Sequence, residues 1–181
     1  VLRAENPLET SIKRKIALFC NVMPEAVIES VDMPTIYEVP LRLFEQKMDL
    51  VVMQRLGLET EGTVSDLTAW RAFVDKVKNP SKYVEVALVG KYTELPDAYK
   101  SINESFIHAG AMNDCKVKVR YVKAEKVTDQ SAAELFEGVS GIFVAPGLGS
   151  RGVDGKIAAV KYARENKIPF FGINLGMHCA I

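Results

Sequence analysis

From Pro80 onward one pattern repeats: a short apolar strand, a loop and a helix-length stretch, with little chain spent between them. This alternation constrains the fold more than any other feature. "YVEVALVG" reads as a strand, Asp97 caps a helix through Ala109 with Gly110 at its end, and "KVKVRYV" alternates as the next strand. "GIFVAPG" is a third strand, Val153 to Asn166 a second long helix, and "PFFGIN" a fourth strand. Strands separated by helices of this length pair in parallel through right-handed crossovers, so an α/β, doubly wound sheet is expected. Sites in such sheets gather at the carboxyl ends of strands, here Gly90-Lys91-Tyr92, Ala145 to Gly149 and Gly172 to Gly176.

The chain before Pro80 has a different texture. Ser11 to Cys20 repeats Ile12, Ile16 and Phe19 at helical spacing, and "AVIES" follows as a short strand. "PTIYEVPLRLFEQKMDLVVMQRLG" reads as a second helical stretch, with Pro40 near its start and Gly57 at a C-terminal cap. "ETEGTVSD" is polar and reads as linker, leading to a helix capped by Ser65 or Asp66. Leu67, Trp70, Val74 and Val77 form one face of that helix before Asn79-Pro80 stops it. The composition break near residues 59–82 marks the expected domain boundary. The first residue is not methionine and reads as the tail of a strand, so the start is expected to be a cut.

Composition excludes several classes. Apolar residues make up 48% and charged residues 25% of 181, the ordinary globular mixture. A chain of this length removes roughly 70% of its unfolded surface from water if it forms one body. Lys plus Arg and Asp plus Glu are 23 each, so no net field draws the molecule to nucleic acid or to a membrane surface, and any anion site is local. Cys20, Cys115 and Cys179 are widely spaced and lack CxxC pairing, which suits a reducing compartment such as cytoplasm. No apolar run approaches the roughly 18 residues of a membrane span, and the N-terminus lacks the order of a signal peptide.

The stretch "FFGINLGMHCA" carries the most pointed chemistry. Its Gly172-Ile173-Asn174-Leu175-Gly176 has the form of a strand-to-helix turn that lifts a nucleophile above a sheet edge. The residue at the apex, Asn174, is an amide without an ionisable proton or a free nitrogen lone pair, so it cannot attack a carbonyl. The loop "APGLGSRGVDG" places Gly147, Gly149, Gly152 and Gly155 after a strand, where backbone N–H groups can converge on an anion; a plain structural turn is the preferred reading of that spacing alone. Arg151 suits a phosphate partner or open solvent equally. Lys91 could hold a nucleotide phosphate, although a solvent-facing lysine is the simpler reading. Lys13, Arg14 and Lys15 read as a solvated helix face, and His108 as a partly buried structural residue. His178 follows Asn174 by one helical turn and so cannot approach it from another loop as a base would. Cys179 lies farther into the same helix; both are read as structural.

Several long stretches in order, "KIALFCNV", "PTIYEVPL", "LVGKYTELPDAYKS", "APGLGSRGVDGKI" and "YARENKIPFFGINLGMHCA", resemble the CTP synthase family over essentially the whole chain. The resemblance implies an enzyme that phosphorylates UTP with ATP and Mg2+ in an amidoligase domain and adds ammonia released from glutamine by a class I glutamine amidotransferase domain. It implies that residues 1–58 are the C-terminal part of a P-loop-like amidoligase domain, 59–82 a linker with a helix, and 83–181 the N-terminal, flavodoxin-like half of the glutaminase domain. Magnesium ligands and the glutaminase His and Glu fall outside this span. By the same resemblance Lys15 contacts UTP or CTP, and Arg3 and Asp32 lie beside the ATP adenine. Gly147 and Leu175 supply oxyanion-hole N–H groups, Leu148 sits where an aromatic residue usually flanks glutamine, and Lys91 and Arg151 belong to a surface for the allosteric effector GTP. Asn174 occupies the place of the nucleophilic cysteine. The family also implies homo-tetramers or filaments. Without the sulfur, thiolate attack, thioester formation and ammonia release are all lost. The expectation is therefore a CTP synthase fragment that is inactive alone; the rival is a non-catalytic glutaminase-like binding or assembly protein, with a generic flavodoxin-like domain as fallback.

Overall fold

The computed structural model describes residues 1–181 apart from 60, 61, 63, 64 and 96, so part of the expected linker lies outside the described residues. The chain divides into two compact units, Val1–Asp75 and Lys76–Ile181.

In the first unit β1 (Leu2–Ala4) and β2 (Glu29–Val31) pair in parallel, with Leu2 opposite Glu29. Between them lie α1 (Thr10–Phe19) and a 3-10 turn, Pro24–Ala26. The strand expected across "AVIES" forms only from Glu29, because the proline-led turn holds the chain up to Ala26. In α1 the buried residue is Ala17, whereas Phe19 of the expected apolar face is 88% exposed. The expected second helix is two: α2 (Val39–Glu45), with Pro40 in its first turn, and α3 (Met48–Arg55). They part at Lys47, whose φ of 58° leaves the helical region, and Gly57 ends α3 with φ of 66° as expected.

Glu29 ties this unit together from inside. Its carboxylate accepts the Leu8 N–H at 2.9 Å and faces the Lys13 ammonium at 3.2 Å and the Arg42 guanidinium at 3.7 Å. The Gln46 side chain meanwhile accepts the Glu29 N–H at 2.9 Å and donates to its carbonyl at 2.8 Å. The Leu8 N–H, outweighing the effect of burial, and then Lys13 and Arg42 hold the carboxyl below its ordinary value. Lys13 is thus engaged, not part of a solvated basic face.

Helix α4 (Thr68–Lys78) starts where Asp66 accepts the Thr68 N–H at 2.9 Å, so Asp66 is its cap, while Ser65 donates to Asp49 at 3.3 Å. Trp70 donates its indole N–H to the Tyr37 carbonyl at 2.9 Å and packs, with its ring tilted, against those of Tyr37 and Phe73. The helix stops before Asn79-Pro80.

The second unit is built from β3 (Lys82–Gly90), α5 (Lys100–Met112), β4 (Cys115–Lys123), α6 (Ala132–Leu135), β5 (Gly141–Val144), α7 (Val153–Glu165), β6 (Phe170–Gly172) and α8 (Leu175–His178). All pairings are parallel, in the order β4-β3-β5-β6. This is the strand order of a flavodoxin-like sheet, in which the chain turns outward from β3 to β4 and then crosses back to β5. Ala87, Val89, Ile142 and Val144 bury one face against Ala159, Val160 and Ala163 of α7; Leu88 and Phe143 bury the other against Tyr99 and Phe106. Alternate residues of the central strands β3 and β5 therefore find cover on both sides, which is why β5 and the end of β3 read as apolar runs, whereas the edge strand β4 alternates. Helix α5 begins at Lys100, not at a cap from Asp97, and runs past Gly110. That glycine lies inside the helix against the Cys115 carbonyl, where a Cβ would collide.

Candidate functional site

The carboxyl ends of β3, β5 and β6 stand side by side, so the three expected strand ends do come together. At the end of β6 the Ile173 N–H donates to the Val144 carbonyl at 3.2 Å, holding the turn against β5. The next residue, Asn174, has φ of 50° and ψ of −113°, a backbone region that a Cβ-bearing residue rarely enters. Helix α8 starts immediately after it. The flanking glycines are dictated by crowding. A Cβ on Gly172 would lie 2.5 Å from the Gly176 carbonyl carbon, and one on Gly176 would fall on the Val144 carbonyl oxygen. A turn this tight leaves its apex projecting; Asn174 is exposed, and its side chain makes no capping hydrogen bond. The backbone is that of a nucleophile elbow, with an amide at its tip.

Ala145 donates its N–H to the Val89 carbonyl at 2.9 Å, which carries the loop after β5 off the sheet between β3 and β6. Two buried lysines then take up its carbonyl groups. Lys91, 5% exposed, donates from Nζ to Leu148 O at 2.5 Å and Gly149 O at 3.1 Å. Lys156, with no exposed surface, donates to Ala145 O at 2.7 Å and Pro146 O at 3.4 Å. The expected solvent-facing Lys91 is thus corrected. The Tyr99 hydroxyl accepts the Lys91 N–H at 2.9 Å and the Tyr92 N–H at 3.2 Å, fixing the backbone so that the Lys91 side chain turns under the loop. Burial, and then the positive charge of Lys91, push the Lys156 ammonium below the usual lysine range. Neither Lys156 nor Tyr99 was singled out from the sequence.

Among the described residues the N–H groups of Gly147 and Leu175 make no backbone hydrogen bond. Leu175 is the first residue of α8, where a free N–H is expected. Leu148 is 90% exposed at the loop tip. Arg151 is half exposed and engaged on both sides, donating to Glu125 Oε1 at 2.6 Å and lying 5.2 Å from the Tyr92 ring centroid.

His108 is exposed on α5, not partly buried as expected, and His178 is exposed as well. Cys179 packs against the core, where desolvation, opposed by the charge of Lys156, raises its thiol above the ordinary value. In the first unit Lys15 is exposed on α1. Arg3 forms an ion pair with Asp32 and donates to the Ala4 carbonyl at 2.7 Å, bridging the ends of β1 and β2. A cavity of about 580 Å³ in this unit is lined by Lys13, Gln46, Lys47 and Leu50 among others, and Lys15 is not part of its wall.

Residues 94–181, which include the elbow and the glycine loop, match the family model for glutamine amidotransferase class-I, and residues 1–58 match that for the CTP synthase N-terminus. The CTP synthase of Cytophaga hutchinsonii is 54% identical over 181 residues, all of this chain. Over its whole length the chain resembles CTP synthases. The CTP synthase of Desulfitobacterium hafniense is 52% identical over the same span. This chain covers 33% and 34% of those two relatives, about a third of their length. Among solved structures, the glutaminase domain of Trypanosoma brucei CTPS with bound acivicin is 41% identical, with a TM-score of 0.50, covering 54% of this chain and 39% of that one. The family match therefore reaches both units of the fold, with the glutaminase likeness placed on the flavodoxin-like sheet.

Proposed function

We propose that this chain is the middle portion of a CTP synthase, the enzyme that makes CTP from UTP, ATP and glutamine or ammonia, and that its glutamine site binds the amide donor without cleaving it. Residues 1–58 form the C-terminal part of the amidoligase domain, 59–82 the linker with its helix, and 83–181 the N-terminal half of the glutaminase domain. The observation that carries the reading is the backbone of Asn174, φ 50° and ψ −113° between two glycines that admit no Cβ. Nothing but the projection of one side chain at the apex requires so tight a turn.

At that apex a cysteine thiolate would attack the glutamine carboxamide carbon, with the developing oxyanion received by the N–H groups of Gly147 and Leu175. The nitrogen lone pair of the Asn174 amide is delocalised into its carbonyl and the group has no ionisable proton, so binding contacts and the oxyanion hole remain without an effective nucleophile. Leu148 covers the glutamine from the loop tip, and acivicin in the glutaminase domain of the Trypanosoma brucei enzyme supports a small amino-acid ligand on this kind of domain. Arg151 belongs to the GTP-effector surface through its exposed guanidinium, and Lys91 through the loop it holds from beneath. In the amidoligase part Lys15 contacts UTP or CTP, and Arg3 with Asp32 borders the ATP adenine. Among the described residues no group of three or more His, Cys, Asp or Glu is placed to hold a metal ion. The intact protein is assigned to the cytoplasm and to homo-tetramers or filaments; the large apolar side chains exposed on α1, Leu18 and Phe19, support the assembly part of that reading.

Titration calorimetry with glutamine, paired with an enzymatic assay for glutamate, tests the reading. Heat of binding with no glutamate above the buffer rate is expected. Release of glutamate at enzymatic rates by the Asn174 chain would refute it.

A further inference from the structure

We propose that Lys156 is a positioning residue of the glutamine site, its buried ammonium setting the Pro146–Gly147 peptide so that the Gly147 N–H is held on the opposite face of the loop. The inference rests on the glutamine-site reading only for the identity of the ligand. Its basis is geometric. In a trans peptide the C=O and N–H point in opposite directions, and no cis peptide is present among the described residues. Lys156 Nζ lies 3.4 Å from the Pro146 carbonyl oxygen, so the N–H of that same peptide unit, which is Gly147's, is directed away from the ammonium. The stronger bond, 2.7 Å to Ala145 O, anchors the loop without aiming any donor, because proline has no N–H at the other end of that peptide.

Lys91 divides the labour. Its bonds to Leu148 O and Gly149 O set the peptides that carry the N–H groups of Gly149 and Ser150, farther round the loop. The carbonyls of four residues, 145, 146, 148 and 149, are thereby drawn inward by two ammonium groups. Gly147 sits between the two side chains: a Cβ there would lie 3.6 Å from Lys156 Nζ and 3.7 Å from Lys91 Cε. A lysine without exposed surface on the packed stripe of α7 gives up the hydration of its charge. Apolar residues at the neighbouring positions Ala159, Val160 and Ala163 show what packing alone selects there. The ammonium does what none of them can: it fixes which way a peptide faces.

The test compares the 15N-labelled chain with its Lys156→Met and Lys91→Met variants, reading N–H residual dipolar couplings residue by residue, with and without glutamine. Lys156→Met keeps length and apolar bulk; if it fails to fold, Lys156→Gln is measured in its place with the same expected and refuting results. In the Lys156 variant the Gly147 coupling is expected to shift well beyond experimental error while those of Ile142 to Val144 in β5 keep their values. Lys91→Met is expected to move Gly149 and Ser150 and to leave Gly147 in place. An unchanged Gly147 coupling in the Lys156 variant overturns the proposal, as does a shift of the same size in the Lys91 variant, since loosening of the loop in general would then explain both. Glutamine is expected to shift the Gly147 and Leu175 amide signals in the parent chain and only Leu175 in the Lys156 variant. A Gly147 shift that persists undiminished in the Lys156 variant also counts against the proposal. If glutamine moves neither amide in the parent chain, the glutamine-site reading fails, while the dipolar couplings still decide the role of Lys156.

Discussion

Replacing Asn174 with glycine should stabilise the second unit, against the usual direction of a substitution in a folded protein. At φ 50° and ψ −113° the backbone lies outside the left-handed helical well that asparagine tolerates, which needs ψ near about +45°. Strain of this kind costs about 1–3 kcal/mol for a residue with a Cβ. Glycine removes it but adds freedom to the unfolded chain, an opposing effect of roughly 0.5–1 kcal/mol. The exposed Asn174 side chain makes no capping hydrogen bond, so little else is lost. The net expectation is about 1 kcal/mol of added stability, which at an m-value of roughly 1.5 kcal/mol/M raises the urea midpoint by about 0.7 M. Unfolding should be followed through amide signals of β3 and β5, because the only tryptophan, Trp70, lies in the first unit. Asn174→Ala is the control, since it removes the amide but keeps the Cβ and should unfold near the parent midpoint. A glycine variant whose midpoint is no higher than that of the alanine variant would show that the elbow holds no strain.

Two further outcomes follow from the same geometry and from the charge map. Gly176→Ala drives a Cβ onto the Val144 carbonyl and should destabilise the second unit by about 3 kcal/mol or more in urea unfolding, the upper end of overpacking; a loss under about 1 kcal/mol would mean that α8 slides freely on β5. The carboxyl of Glu29 is held below its unfolded value, so its contribution to the first unit is complete above about pH 4.3 and is lost as pH falls through the folded value. Trp70 fluorescence during urea unfolding at a series of acidic pH values should show that loss in the parent, and a flatter profile in Glu29→Gln; identical slopes would remove Glu29 as the cause.

Much of the second unit was legible because its signals are local. The parallel alternation, the strand ends and the glycine spacing of the elbow each depend on residues close in the chain, and the structure has them as expected. Lys47 shows the limit: nothing in an apolar-periodic stretch marks the single residue that leaves the helix. Asp97 and Gly110 were read as start and stop by residue type, whereas Tyr99 and the close approach of Cys115 set those positions through contacts with other elements. One signal was present and passed over: Lys156 lies on the same helical stripe as Ala159, Val160 and Ala163, a cation where packing asks for an apolar residue.

What the amino-acid order determined alone is chemical and topological: strands that must pair in parallel, a turn too tight for anything but glycine at its flanks, and an apex with no sulfur. Those follow from covalent structure and short-range sterics. The tertiary structure alone decided where the charges go. Lys91 and Lys156 look like surface lysines until residues 57 and 11 positions away bring carbonyl groups to them. An ammonium on a flexible stem has no preferred direction of its own; it goes where distant backbone gathers enough acceptors to replace water.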